Sequence, residues 1–233
     1  MRIGILETGG PPAELIGEFG SYVDMTENWL RPVSDDFVRF DVQKGEMPAS
    51  TAEADLWAIT GSRCAVYEAH DWIPPLEQFV REVRAGGRKM FGICFGHQIM
   101  AKVFGGMVAK SEKGWGLGVH TYETVNWPEV FGPELPHLAM QAFHQDQVIN
   151  KPDDAVQISR SEFCEYPVLY YPGFGLSVQG HPEFSASYAR TLLNMRSGVT
   201  LPVDVAEKGL ETIDDPTTNA ELARIVAVGW QQF

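Results

Sequence analysis

Apolar positions fall along the first half of the chain in two alternating rhythms. Arg2–Glu7 is a short apolar run of the kind buried as a strand, and Thr8-Gly9-Gly10-Pro11-Pro12 closes it. Over residues 13–30, Leu15, Ile16, Phe19, Tyr22 and Val23, with Trp29 and Leu30 after them, recur at helical spacing and predict a helix. Residues 37–42 alternate and predict a second strand, and 55–60 predict a third that ends in Gly61-Ser62. Ile73–Ala85 is amphipathic, with Pro74 in its first turn and Gly86-Gly87 stopping it, so it predicts a helix. An apolar run beginning near Arg88 then enters Gly92-Ile93-Cys94-Phe95-Gly96-His97-Gln98, and residues 99–104 return to helical spacing.

The second half is looser. Residues 114–125 predict a strand with glycine bends, and 140–148, 155–158, 168–171 and 174–179 predict further short strands, mixed or antiparallel. The last of these delivers Gly180-His181-Pro182-Glu183, and residues 185–197, about 203–212 and 217–231 predict closing helices. Strands separated by helices imply a parallel sheet with right-handed crossovers. The fold class is therefore α/β, a mostly parallel central sheet flanked by helices with a smaller mixed or antiparallel β portion. With no repeat, low-complexity tract or linker, residues 1–233 are expected to form a single domain. Ligands bind at the carboxyl ends of such strands. The loops after the first strand (7–12) and the third (61–67) should then share a rim with the turn at Cys94.

Composition narrows the function. A net charge of −13 argues against a nucleic-acid binder and against docking on anionic membranes. Cys64, Cys94 and Cys164 have no C-x-x-C and no metal-ligand spacing, so neither a disulfide framework nor a zinc site is expected. The first residues reach a charge too soon for a signal peptide and no stretch approaches a membrane span, which points to the cytoplasm. Cys64 and Cys164 are expected to be small buried hydrophobes or bystanders. His70, His120 and His137 should lie in loops or at the surface, and the acidic cluster at 211–215 on a solvated face.

The stretch around Cys94 carries the chemistry. Gly92 and Gly96 flank the cysteine symmetrically, as a sharp strand-to-helix turn requires, because a Cβ at either place would collide with the neighbouring chain. Such a turn sets the sulfur at a helix N-terminus, where unpaired amides and the helix dipole favour thiolate over thiol. The plainer alternative is an inert buried cysteine beside a Gly-rich turn. A cysteine nucleophile needs a base and a group that orients the base. His181 and Glu183, two apart in an extended segment, point the same way and fit those roles. They fit equally a turn histidine before a proline and a carboxylate capping the helix that begins near Ser185.

Together, G-I-C-F-G-H-Q and the later Q-G-H-P-E-F resemble the class I (triad-type) glutamine amidotransferases. The likeness runs from the first strand to about residue 185. It is similar both to the amidotransferase domain of GMP synthases and to stand-alone relatives that include plant γ-glutamyl peptidases, which share a segment like 114–118. The resemblance implies a flavodoxin-like fold and hydrolysis at a γ-glutamyl carbonyl. Cys94 would form a thioester, His181 would serve as base and then acid, and Glu183 would orient it. The backbone amides of Gly61 and Phe95 would form the oxyanion hole. Gln98, Ser62, Phe143 and His144 would bind the substrate.

The chain departs from the family in two loops. Thr60-Gly61-Ser62-Arg63 stands where Gly-Gly-Pro-x-Ser is usual, and Phe143-His144-Gln145-Asp146 where GMP synthases have Ser-His-Gly-Asp. Arg63 reads either as a contact to an α-carboxylate or as an exposed loop residue, and Trp115 either as pocket rim or as packing. No metal or other cofactor is implied. The implied partner is a small-molecule substrate, glutamine or a γ-glutamyl compound. The 50 residues 184–233 are too few for a synthase domain, so any synthase fed with ammonia would be a separate polypeptide. A catalytically silent module on the same fold would be expected to lose the cysteine or the histidine, and both are present. The oligomeric state stays open.

Overall fold

The computed structural model describes residues 1–230. In chain order, β1 (Arg2–Glu7) leads into α1 (Ala13–Phe19) and α2 (Tyr22–Leu30), and these are followed by β2 (Asp36–Asp41) and β3 (Leu56–Ile59). Next come α3 (Ile73–Ala85), β4 (Lys89–Ile93) and α4 (Phe95–Val103). The second half holds β5 (Met107–Lys110), β6 (Gly116–Thr124), β7 (His137–His144), β8 (Asp146–Asn150), β9 (Val156–Arg160), β10 (Val168–Tyr171) and β11 (Gly175–Val178). It closes with α5 (Ala186–Arg196), α6 (Val203–Glu211) and α7 (Asn219–Gly229).

The large sheet has the order β2-β1-β3-β4-β11-β10-β9-β6-β7. From β2 to β11 every neighbouring pair is parallel, and from β11 to β7 every pair is antiparallel. The α/β reading of the sequence holds. The antiparallel strands extend the parallel sheet, and among the described residues the separate β portion is the β5–β8 ribbon.

Ile3, Ile5, Leu56, Ala58, Phe91 and Ile93 are completely or almost completely buried, as strands covered on both faces require. One face packs against Val23 and Leu30 of α2 and Leu222 and Val226 of α7. On the other face, Trp57, Ile59 and Met90 pack against Leu76, Val80 and Val83 of α3 and Ile99 of α4.

The helix predicted over 13–30 is broken. Gly20 takes a φ of +78°, which an L side chain resists, and Ser21 starts a new helix. Ser21 Oγ accepts from Asp24 N at 3.1 Å while Asp24 Oδ2 accepts from Ser21 N at 2.7 Å, a reciprocal capping box. The strand predicted over 140–148 is two strands parting at Gln145, because β7 pairs with β6 while β8 pairs with β5. Residue 231, the predicted end of the last helix, lies outside the described residues. Among those described, no helix is long and apolar enough to cross a membrane.

Candidate active site

The turn between β4 and α4 is tight because backbone fills the space where side chains would be. A Cβ on Gly92 would sit 2.6 Å from Gly96 backbone atoms, and one on Gly96 would sit 2.5 Å from the Ile59 carbonyl oxygen. Between them Cys94 takes φ 50° and ψ −97°, the only positive φ at a non-glycine among the described residues. Such a conformation costs on the order of 1–3 kcal/mol and persists where the surroundings enforce it. Cys94 N donates to Val178 O at 2.8 Å, which ties the turn to β11.

β11 runs parallel to β4, so the residues after it reach the same rim. His181 N donates to Gln141 O at 2.7 Å, and Gln141 is itself held by its side-chain amide donating to Ile213 O at 2.8 Å. The Nδ1 of His181 lies 2.8 Å from Glu183 Oε1, with both side chains buried. Phe184 stacks flat on the imidazole, with ring centroids 4.0 Å apart at 9°. The capping alternative for Glu183 is not what forms, since Ser185 Oγ caps α5 by accepting from Tyr188 N at 3.1 Å. Burial opposes a charge on His181. The Glu183 carboxylate and the Cys94 sulfur, each also hydrogen-bonded to the ring, outweigh it and raise the pKa to about 10.

The loop after β3 completes the rim. Thr8 N donates to Thr60 Oγ1 at 3.0 Å and Thr8 Oγ1 to Thr60 O at 2.8 Å, locking the ends of β1 and β3 together. Gly61 follows at once. A Cβ there would lie 2.8 Å from His181 Cε1 and 3.7 Å from Cys94 Cβ, so this backbone presses against the Cys94–His181 pair. Phe95 opens α4, and its amide belongs to the first turn, which has no intrahelical acceptor.

A cavity of about 400 Å³ opens above Cys94 and His181, and Ser62, Gln98, Phe143 and His144 line it, so all the predicted binding positions converge. Gln98 anchors the β7–β8 turn, its Nε2 donating to Asp146 O at 3.0 Å and to Gln179 Oε1 at 3.1 Å. His144 sits fully inside with Nδ1 3.2 Å from the same Asp146 carbonyl. Burial first, then the neighbouring His120, lower its pKa to about 3, so the ring is neutral.

Other lining residues carried no motif. Tyr22 at the start of α2, and Leu192, Arg196, Thr200 and Leu201 from α5 and the turn beyond it, also line the cavity. Tyr22 follows a visible Gly-Ser break, and Phe184 directly follows Glu183. The α5 residues have no sequence signal, because the chain returns to the site only through tertiary packing of Leu192 on Tyr22 and Phe184. Trp115 meets Phe143 edge-on with centroids 6.1 Å apart and lines the pocket, so it is both rim and packing. Arg63 is a pocket residue too.

Of the bystanders, Cys164 is buried, and burial raises its pKa to about 12. Cys64 is half-buried at the pocket edge. His120 does not lie in a loop: it stands half-buried mid-strand in β6, packed on Phe163 with centroids 5.0 Å apart. His137 is exposed at the start of β7, and residues 211, 214 and 215 of the acidic cluster are exposed.

A family model described as "Glutamine amidotransferase class-I" matches residues 22–196. The chain is 29% identical over 238 residues to a glutamine amidotransferase-like protein of Schizosaccharomyces pombe, covering 95% of each. It is 32% identical over 177 residues to gamma-glutamyl peptidase 4 of Arabidopsis thaliana, covering 72% of this chain and 69% of the relative. The crystal structure of a glutamine amidotransferase from Thermotoga maritima superposes with a TM-score of 0.74 at 21% identity, covering 99% of this chain and 98% of that one, which speaks for the fold.

Proposed function

The chain belongs to the class-I glutamine amidotransferase family, and from that membership we propose that it hydrolyses γ-glutamyl C–N bonds through a thioester on Cys94. The observation that carries this reading is the convergence of Cys94, in its strained turn, with a His181 ring fixed at 2.8 Å by Glu183 on the wall of one cavity.

The Cys94 sulfur attacks the γ-carbonyl carbon and its proton resides on His181 Nε2, the ring nitrogen that Glu183 does not hold. The carbonyl oxygen takes up negative charge, which the Gly61 and Phe95 amides stabilise by donating hydrogen bonds to it; such a donor contributes about 100- to 1000-fold in rate. As the C–N bond breaks, Nε2–H protonates the departing amine. Water then gives a proton to Nε2 and attacks the thioester, the C–S bond breaks, and glutamate leaves. Glu183 stays ionised throughout and keeps the ring in the tautomer with Nδ1–H.

The pocket supports a substrate larger than free glutamine. Its wall reaches Leu192 and Leu201, and Arg63, Lys110 and Arg196 ring it. Among the described residues none of these three cations forms an ion pair, although the chain carries a net charge of −13. Of the carboxylates in the lining, Asp146 is engaged by the Tyr67 hydroxyl at 2.8 Å. Unpaired cations around a γ-glutamyl site favour a departing amine that carries its own carboxylate, an amino acid or short peptide. The test compares hydrolysis of γ-glutamyl dipeptides and of glutamine by the isolated chain. Dipeptides are expected to be cleaved with kcat/KM at least about 10-fold higher, the worth of one modest charge contact. A chain idle on both until a synthase polypeptide is added would favour ammonia donation instead.

A further inference from the structure

The loop between β3 and α3 brings together side chains that sequence spacing alone did not mark as a set. Glu68 N donates to Ala65 O, His70 N to Glu68 O and Ile73 N to His70 O, each at 3.1 Å, folding the segment into successive tight turns. Cys64 is fixed at the start of these turns by its amide donating to Ser62 Oγ at 3.1 Å. As a result the Cys64 sulfur, a Glu68 carboxylate oxygen and a His70 ring nitrogen all lie within 4.8 Å of one another. The His70 Nε2 is 2.9 Å from Glu68 Oε2, and its ring stacks on Trp72 at 5.8 Å and 18°, which fixes the imidazole plane.

Thiolate, carboxylate and imidazole are the donors that Zn²⁺ takes, at about 2.0–2.3 Å and in tetrahedral array. Three such donors gathered on one short loop, with the outer side open to solvent, make a half-formed tetrahedron that small rotamer changes would close. We propose that Cys64, Glu68 and His70 form a Zn²⁺ site with its fourth position open. Cys64 and Glu68 also line the catalytic pocket, so the ion would stand at the mouth through which substrate enters. The same loop supplies Gly61, three residues before Cys64. Binding there would therefore obstruct entry and fix the loop that faces His181, making Zn²⁺ a reversible inhibitor that acts from outside the Cys94–His181 pair.

Co²⁺ titration of the full chain tests this directly, because a thiolate ligand gives a charge-transfer band in the near ultraviolet, and Zn²⁺ calorimetry gives the affinity. Wild type and Cys94→Ala are expected to bind one equivalent and to show the band. Cys64→Ser should lose the band. His70→Ala and Glu68→Gln should bind at least about 10-fold more weakly, since loss of a direct ligand costs no less than loss of an outer-shell partner. His70→Ala should also turn over substrate as wild type does while resisting Zn²⁺ inhibition. The proposal is overturned if wild type binds no stoichiometric ion. It is equally overturned if the band survives Cys64→Ser and vanishes in Cys94→Ala, which would give the metal to the catalytic thiol. Using Glu68→Gln and His70→Ala as separate variants keeps the result readable if one of them fails to fold.

Discussion

At the scale of single residues, Gly61 lacks a side chain because the His181 ring occupies the place where one would stand, 2.8 Å away. Gly61→Ala is expected to lower kcat at least about 10-fold with the fold retained, because the ring or the oxyanion donor must shift, and misplacement of about 1 Å can cost 100-fold. Steady-state kinetics beside a circular dichroism spectrum check this. Glu183→Gln removes the carboxylate that raises the His181 pKa and fixes its tautomer. It should lower kcat by roughly 100- to 10,000-fold, in the range known for loss of an orienting carboxylate. Near-normal turnover would mean that His181 needs no orienting partner. These positions were legible because the turn at Cys94 and the His-Pro-Glu segment each impose a local pattern. His144 was legible only as a position, since its neutral ring and its bond to the Asp146 carbonyl come from burial that no short motif encodes.

At the scale of elements, legibility followed the punctuation. α3 matches its predicted bounds because proline and a glycine pair mark both ends. The predicted 13–30 helix runs through a lone Gly20, and the predicted 140–148 strand through Gln145, inside the polar run 144–147 where the pairing partners change. The break at Gly20 matters to the site because α2 begins with Tyr22, a wall of the pocket. Ser21→Ala should cost about 1 kcal/mol of stability through loss of the cap, measured by denaturant unfolding. α5 contributes Arg196 to the same pocket. Arg196→Met is expected to raise KM for a γ-glutamyl dipeptide about 10-fold, the worth of roughly 1.4 kcal/mol, and to change KM for glutamine by less than about twofold. Equal effects on both substrates would remove Arg196 from the leaving-group side.

At the scale of the whole molecule, the sheet joins two halves that the sequence kept apart. Parallel strands announce themselves by apolar runs between helices. Nothing local says that β10, β9, β6 and β7 continue the same sheet, or that α5 and α6 fold back over β6 through Leu117, Leu193 and Ala206. The fold also buries two neutral histidines. His97, with Nδ1 2.8 Å from Ser177 Oγ, and His144 both have pKa values lowered by burial to about 3. Between about pH 6.5, the ordinary histidine value, and pH 3, the unfolded chain binds protons that the folded one refuses. Stability contributed by these rings is complete above that window and is lost as the pH falls through it, by up to about 1.4 kcal/mol per pH unit for each ring. Thermal melts from pH 7 to pH 4 should show the midpoint falling, and a flat profile would contradict burial of the neutral rings.

The central claim is that Cys94 is the nucleophile of a γ-glutamyl site, and intact-mass spectrometry after exposure to a glutamine-like diazoketone tests it most directly. A single adduct is expected, which peptide mapping assigns to Cys94, absent from Cys94→Ala and undiminished in Cys64→Ala. An adduct that persists in Cys94→Ala, or that maps to Cys64 while Cys94 stays unmodified, would contradict it.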